Sequence, residues 1–168
     1  MSRLGISPET IRKSFRGECL YQAEQDIHFP ELTVRQTLAF AAAARVPRNR
    51  FPGVTRRRYA DYMSDAVLAM FDLSQAAETK LGDDLLRGVS GGERKRVSVA
   101  EAFIGGCPLQ SWDNSTRGLD SSTALTFTKL LRTSARTAGT TSIVSAYQAS
   151  QAMYDVLYGP PKIASLYS

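Results

Sequence analysis

This 168-residue chain has only two cysteines and one histidine, so thiol and imidazole ligands are scarce. Cys19 and Cys107 stand alone with no C-x-x-C spacing, so neither a zinc site nor a disulfide framework is indicated. His28, the single histidine, leaves no basis for a His-based metal centre or a Ser-His-Asp triad. Long apolar runs are missing too. The longest weakly polar stretch, Leu38 to Ala44, falls far short of the roughly 20 residues a membrane span needs. The opening Met-Ser-Arg-Leu-Gly has no apolar signal-peptide core. By itself the chain is therefore expected to be soluble. No internal repeat or low-complexity tract is present.

What is there suits a packed domain. Hydrophobic residues make up 43% and charged residues 22%, which allows a core and argues against wholesale disorder. The length is that of one ordinary domain or part of a larger one. A formal net charge of +5 admits nucleic acid or anionic lipid as partners. The basic residues cluster at Arg45–Arg58 and Arg94–Arg96. The first cluster contains two prolines and a glycine and reads as an exposed, solvated connector. It lacks interleaved aromatics, so a nucleic-acid partner is not expected.

Local signals give an alternating pattern. A short helix is expected over Pro8–Phe15 and a short strand over Cys19–Ala23, followed by a polar loop at Glu24-Gln-Asp26. Thr33 caps a helix whose Val34, Leu38 and Ala41/Ala42 recur at helical spacing. A second amphipathic helix runs from Tyr59 to Phe71. Helix-compatible sequence from Glu93 to Ile104 ends at Gly105-Gly106-Cys-Pro108, where glycine supplies a left-handed cap and proline cannot continue. A strand follows at 109–112, then a helix over roughly 121–137 ending near Gly139. The β-branched run at 140–146 is another strand. Strands with polar and acidic residues at their C-termini, alternating with helices, indicate an open parallel α/β sheet. The helices at 33–44 and 59–71 form an inserted lobe.

The chemistry concentrates in Gly88-Val-Ser-Gly-Gly-Glu-Arg-Lys-Arg-Val97. Adjacent glycines let a ligand approach the backbone closely. A helix starting behind them points unpaired N–H groups and the positive dipole end forward. With the Ser90 hydroxyl, that suits a phosphate oxygen; a serine N-cap on a glycine turn is the plainer alternative. Further on comes Trp112-Asp-Asn-Ser-Thr-Arg-Gly-Leu-Asp120. In order and spacing, these two segments resemble the signature motif, Walker B strand end and D-loop of an ATP-binding cassette (ABC) ATPase. Glu24-Gln-Asp-Ile-His-Phe-Pro-Glu-Leu-Thr-Val34 is similar to the Q-loop region, and Ser145-Ala-Tyr-Gln-Ala-Ser150 stands at the switch, or H-loop, position. The match narrows to the first nucleotide-binding domain of fungal pleiotropic-drug-resistance transporters, subfamily G, over about residues 5 to 157.

That resemblance implies an α/β fold: an incomplete ABC-type (RecA-like) nucleotide-binding domain, with a parallel sheet and a helical subdomain inserted at about 32–88. The signature, Walker B, D-loop and switch region would occupy 88–150, and 158–168 would be a divergent tail. It also implies ATP and Mg2+ as cofactors. Partners would be a second nucleotide-binding domain and the transmembrane domains of the same exporter, placing the domain on the cytoplasmic face of a membrane, the plasma membrane first. Ser90, Gly91, Gly92 and Glu93 would serve ATP held by the partner domain. Asp113 would orient magnesium in the local site. Asp120 would be the D-loop carboxylate, with an N-cap as the alternative reading. Glu24 would stand at the Q-loop position.

Three positions depart from an ordinary cassette and agree with that subfamily. Asn114 stands where the general-base Glu normally follows the Walker B Asp, and an amide cannot take a proton from attacking water. Tyr147 replaces the switch His, and Glu24 replaces the Q-loop Gln. No G-x-x-x-x-G-K-[ST] occurs, so the phosphate cradle is missing. The chain is expected to be a fragment of a longer transporter or a truncated gene product, inactive alone. Removal of the strand before the cradle would leave the strands at 109–112 and 140–146 bordering a gap, with apolar faces only partly covered. Two other cassette classes fit less well. A DNA-repair ATPase would need sustained heptads between positions 24 and 90, and a ribosome-associated one would need two competent Walker sites.

Overall fold

The computed structural model describes residues 7–15, 17–47, 52–147 and 149–158. Helix α1, Pro8–Ser14, leads to strand β1, Cys19–Gln22. Helices α2, Val34–Ala44, and α3, Arg56–Met70, pack against each other and are followed by a 3-10 turn at Ser74–Ala76. Helix α4, Gly91–Ile104, runs into β2, Leu109–Asp113. Helix α5, Ser121–Ala138, precedes β3, Thr141–Ser145, and α6, Gln151–Tyr158.

The three strands form one parallel sheet in the order β1-β2-β3. Register sets Cys19, Leu109 and Thr141 level, and likewise Gln22, Trp112 and Val144. Side chains alternate across a pleat, so Leu20, Gln22, Gln110, Trp112, Ser142 and Val144 share one face. That face is packed: Trp112 meets Phe127 of α5 edge-on, with ring centroids 4.9 Å apart. The Trp112 indole N–H donates to Gln110 Oε1 at 3.1 Å, and the Gln110 amide donates to Cys107 O at 2.9 Å, so both buried polar groups are satisfied. The core continues through Val97, Val99 and Ala100 of α4 to Val34 and Leu38 of α2 and Val67 and Leu68 of α3. The opposite face carries Tyr21, Leu109 and Ile143, which are 64%, 37% and 60% exposed.

The partly covered apolar face matches expectation, but the placing of the strands does not. The segment at 109–112 borders no gap, because β2 is hydrogen-bonded on both sides; among the described residues the edges are β1 and β3. Arg56–Arg58 are also not connector. Thr55 accepts from Arg58 N at 3.2 Å as N-cap, and arginine is a good helix former, so α3 starts three residues earlier than its apolar pattern suggests. Helix α6 is an addition to the elements expected from the sequence. It buries Met153 and packs on α5, where Arg132 donates to Leu157 O. Of the tail at 158–168, Tyr158 closes α6 and the rest lies outside the described residues.

Candidate functional site

Ser90 is the N-cap of α4 and closes a capping box. Its Oγ accepts from Glu93 N at 3.2 Å, while Ser90 N–H donates to Glu93 Oε2 at 2.8 Å. The hydroxyl also donates to that carboxylate at 2.8 Å. These donors hold the Glu93 carboxyl below its usual range, the backbone N–H contributing most. The Ser90 side chain thus acts as an N-cap, with its hydroxyl turned to Glu93. Gly91 and Gly92 form the first residues of α4, where N–H groups have no intrahelical acceptor. A Cβ built on Gly91 would meet nothing within 4 Å, and one on Gly92 only Gly118 O at 3.7 Å. Neither glycine is demanded by packing within the described chain.

Asp113 ends β2. Its Oδ1 accepts from the Ser145 hydroxyl at 2.8 Å and its Oδ2 from the Tyr21 hydroxyl at 2.9 Å. Three strand ends are thus tied through one carboxylate. The two hydroxyls, Ser145 first, lower the Asp113 pKa; the same bond and the same negative charge raise that of the Tyr21 phenol. Asn114 follows with φ +46, a left-handed conformation that asparagine tolerates. Its N–H donates to Ser145 O at 3.0 Å, and its Oδ1 accepts a long bond, 3.5 Å, from Tyr147 N. The Tyr147 side chain stands outward, 87% exposed. Asp120 caps α5: it accepts from Thr123 N at 3.1 Å, from the Thr123 hydroxyl at 2.6 Å and from the Ser122 hydroxyl. Those hydroxyls, Ser122 first, hold its carboxyl far below the ordinary carboxylate range.

Glu24 lies in the bend after β1 and pairs with Arg117 of the turn between β2 and α5. The pair sits between two clefts. One, about 670 Å³, is lined by Glu24, Asn114, Arg117 and Tyr147. The other, about 940 Å³, is lined by Glu24, Asp26, Gly91, Gly92, Lys95 and Arg117. Glu24 thus lines one cleft with Asn114 and Tyr147 and the other with Gly91 and Gly92, whereas Asp113 and Asp120 line neither. Sequence reasoning missed Tyr21, Ser145, Arg117, Lys95 and Asp26. Nothing local marks the first three, since each acts across strands or loops remote in sequence. Lys95 is hidden inside the basic Arg94–Arg96 run.

Among the described residues no group of three or more His, Cys, Asp or Glu could hold a metal. Asp113 is one carboxylate with a hydroxyl on each oxygen, and Glu24 is committed to Arg117. Magnesium bound through one carboxylate relies on substrate phosphates and water for its remaining ligands. With both oxygens of Asp113 bonded to hydroxyls and Glu24 paired with Arg117, the described residues do not fit a resident magnesium ion.

Comparison with known proteins identifies the family and the fold. The sequence model of the family described as ABC transporter matches residues 3–117. The chain is 60% identical over 152 residues to ABC multidrug transporter A-2 of Aspergillus fumigatus, covering 90% of this chain and 10% of that protein. It is 57% identical over 163 residues to the ABC-type transporter eriD of Hericium erinaceus, covering 97% and 11%. It thus spans about a tenth of the length of these curated relatives. Among solved structures it resembles the dimeric, post-hydrolysis ATP-binding cassette MJ0796 bound to ADP and Pi. The TM-score is 0.62 at 23% identity, over 85% of this chain and 58% of that one. That likeness establishes the fold alone, the α/β fold of an ATP-binding cassette. Among the described residues no helix is long and apolar enough to cross a membrane.

Proposed function

This chain belongs to the ABC transporter family, and we propose that it works as part of the ATP-driven engine of a fungal exporter of drugs or lipids. In that role it supplies Ser90, Gly91 and Gly92 to the phosphates of ATP held by a second nucleotide-binding domain. Both domains would sit on the cytoplasmic face of the membrane, the plasma membrane first, joined to transmembrane domains of the same protein. Asp120 would lie at the domain interface, and Asp113 would neighbour magnesium arriving with nucleotide in the local, weaker site. Asn114 and Tyr147 offer neither a carboxylate base nor an imidazole, so the chain alone is expected not to hydrolyse ATP.

One observation carries the reading. At a capped helix N-terminus, a Cβ on Gly91 would meet open space and one on Gly92 only an ordinary contact with Gly118 O, so nothing within the described chain requires them to be glycine. A requirement from outside, the close approach of an anion to helix N–H groups, accounts for them. Donors preorganised toward charge that develops in the transition state are usually the largest electrostatic contribution to a rate.

The test uses a full-length fungal multidrug relative in which residues 7–157 of this chain replace the matching segment. Ser90→Arg or Gly91→Asp should abolish its ATP turnover at unchanged membrane expression, because bulk or negative charge would meet the phosphate. Undiminished turnover in either variant would show that the signature does not serve the partner's nucleotide.

A further inference from the structure

Lys95 is the one charged residue among the buried residues of the described chain, with its side chain 5% exposed. Burying an ammonium is costly unless it is paired and hydrogen-bonded. Its partners come from neither its own helix nor the next turn. Lys95 Nζ donates to Glu24 O at 2.6 Å and to Asp26 Oδ1 at 3.2 Å, both in the bend after β1. Asp26 is itself largely shielded, at 20% exposure, so solvent screens this contact less than a surface pair. On its other side the same bend is held by Arg117 through the Glu24 carboxylate. The bend is thus gripped twice, from the helix that begins at Gly91 and from the turn that follows Asp113.

We propose that Lys95 is a positioning residue that sets the spacing between the Glu24–Asp26 bend and the glycine face of α4. The proposal rests on the reading of Ser90–Gly92 as a phosphate contact, and adds what holds that contact in place. Lys95 grips a main-chain carbonyl, so it fixes the path of the bend while leaving the Glu24 side chain free for Arg117. It follows Ser90 by little more than one turn on the same helix, so movement of the bend is carried directly to the helix N-terminus. Lys95 touches no reacting atom; it acts on where Gly91 and Gly92 stand.

The experiment compares Lys95→Met, Lys95→Arg and Asp26→Asn with Ser90→Arg in the same chimeric transporter, with ATPase rates normalised to folded protein. Misplacement of a transition-state contact lowers kcat while leaving KM for ATP nearly unchanged. Lys95→Met should lower kcat between about tenfold and a hundredfold, since an ångström of displacement can cost that much. Asp26→Asn should fall between it and the parent, and Lys95→Arg, which can still bond a carbonyl and a carboxylate, should recover part of the loss. A merely structural lysine would reduce the amount of folded transporter and leave kcat per folded molecule intact. Unchanged kcat in Lys95→Met, or a raised KM at constant kcat, overturns the proposal. If Lys95→Met does not fold, unchanged kcat in Asp26→Asn overturns it instead. Full turnover in Ser90→Arg would sink the phosphate-contact reading itself. Loss in Ser90→Arg with normal kcat in Lys95→Met would sink only the positioning role.

Discussion

Gly88 and Gly91 are three positions apart and answer to different constraints. A Cβ on Gly88 would sit 2.3 Å from Leu81 O, inside backbone that cannot swing away, and Gly82 meets Leu86 O at 2.4 Å in the same crossing. Gly88→Ala should therefore destabilise the isolated chain by about 1–3 kcal/mol, the usual cost of forcing atoms into filled space. Gly91→Ala should leave the urea midpoint unchanged or slightly raised, since alanine suits a helix better than glycine and meets no neighbour. A comparable loss in both variants would mean that Gly91 is held by this fold after all, removing the argument for an external ligand. Asn114 carries two constraints at once. On the proposed reading it stands where a general base would be, while its left-handed backbone gives a local reason for asparagine. Only the first was legible from the order of residues.

Helix α4 begins at a structural cap that the proposed function would also use. The Ser90–Glu93 box satisfies N–H groups that the first turn would otherwise leave unpaired. Replacing Ser90 with Ala should cost about 0.5–2 kcal/mol. Glu93 is ionised more readily in the folded chain than its ordinary value of 4.5. A depressed folded pKa contributes stability that is present above the unfolded value and lost as pH falls through the folded one. First-turn amides of α4 should accordingly exchange faster as pH drops below about 4.5, after correction for intrinsic rates. Glu93→Gln should keep the reach-back bond and flatten that response. Persistence of the acid response in the glutamine variant would assign it to another group. The α4 start was readable because S-G-G-E states its cap within four residues. Helix α6 was not, because its short apolar pattern becomes meaningful only against α5. In the sequence Lys95 is one of a basic run, since what buries it is a bend some seventy positions away. The β-branched run of β3 identified a strand, but the central place of β2 is a matter of long-range pairing that no local pattern encodes.

At the scale of the molecule the sheet is unbalanced. Parallel sheets are ordinarily covered on both faces. Here one face buries Trp112 under α5, and the other leaves Tyr21 and Ile143 largely open among the described residues. The outer edge of β3 adds main-chain groups with no strand partner among those residues, and an open edge beside an apolar face invites pairing with another chain. The isolated chain should therefore self-associate as its concentration rises, with β2 amides the slowest to exchange and those of β3 faster. Ile143→Lys separates association from folding. The side chain contributes little to the core, so the unfolding midpoint should move by less than about 0.5 kcal/mol, as at other exposed positions. A charge on the edge strand should nevertheless shift the sedimentation profile toward monomer, because pairing two chains there would bring like charges together and strip their water. If Ile143→Lys associates as the parent does while Tyr21→Ser disperses it, the sticky surface lies at the β1 edge. If neither changes the profile, association does not use this face, and the open sheet is stable as it stands.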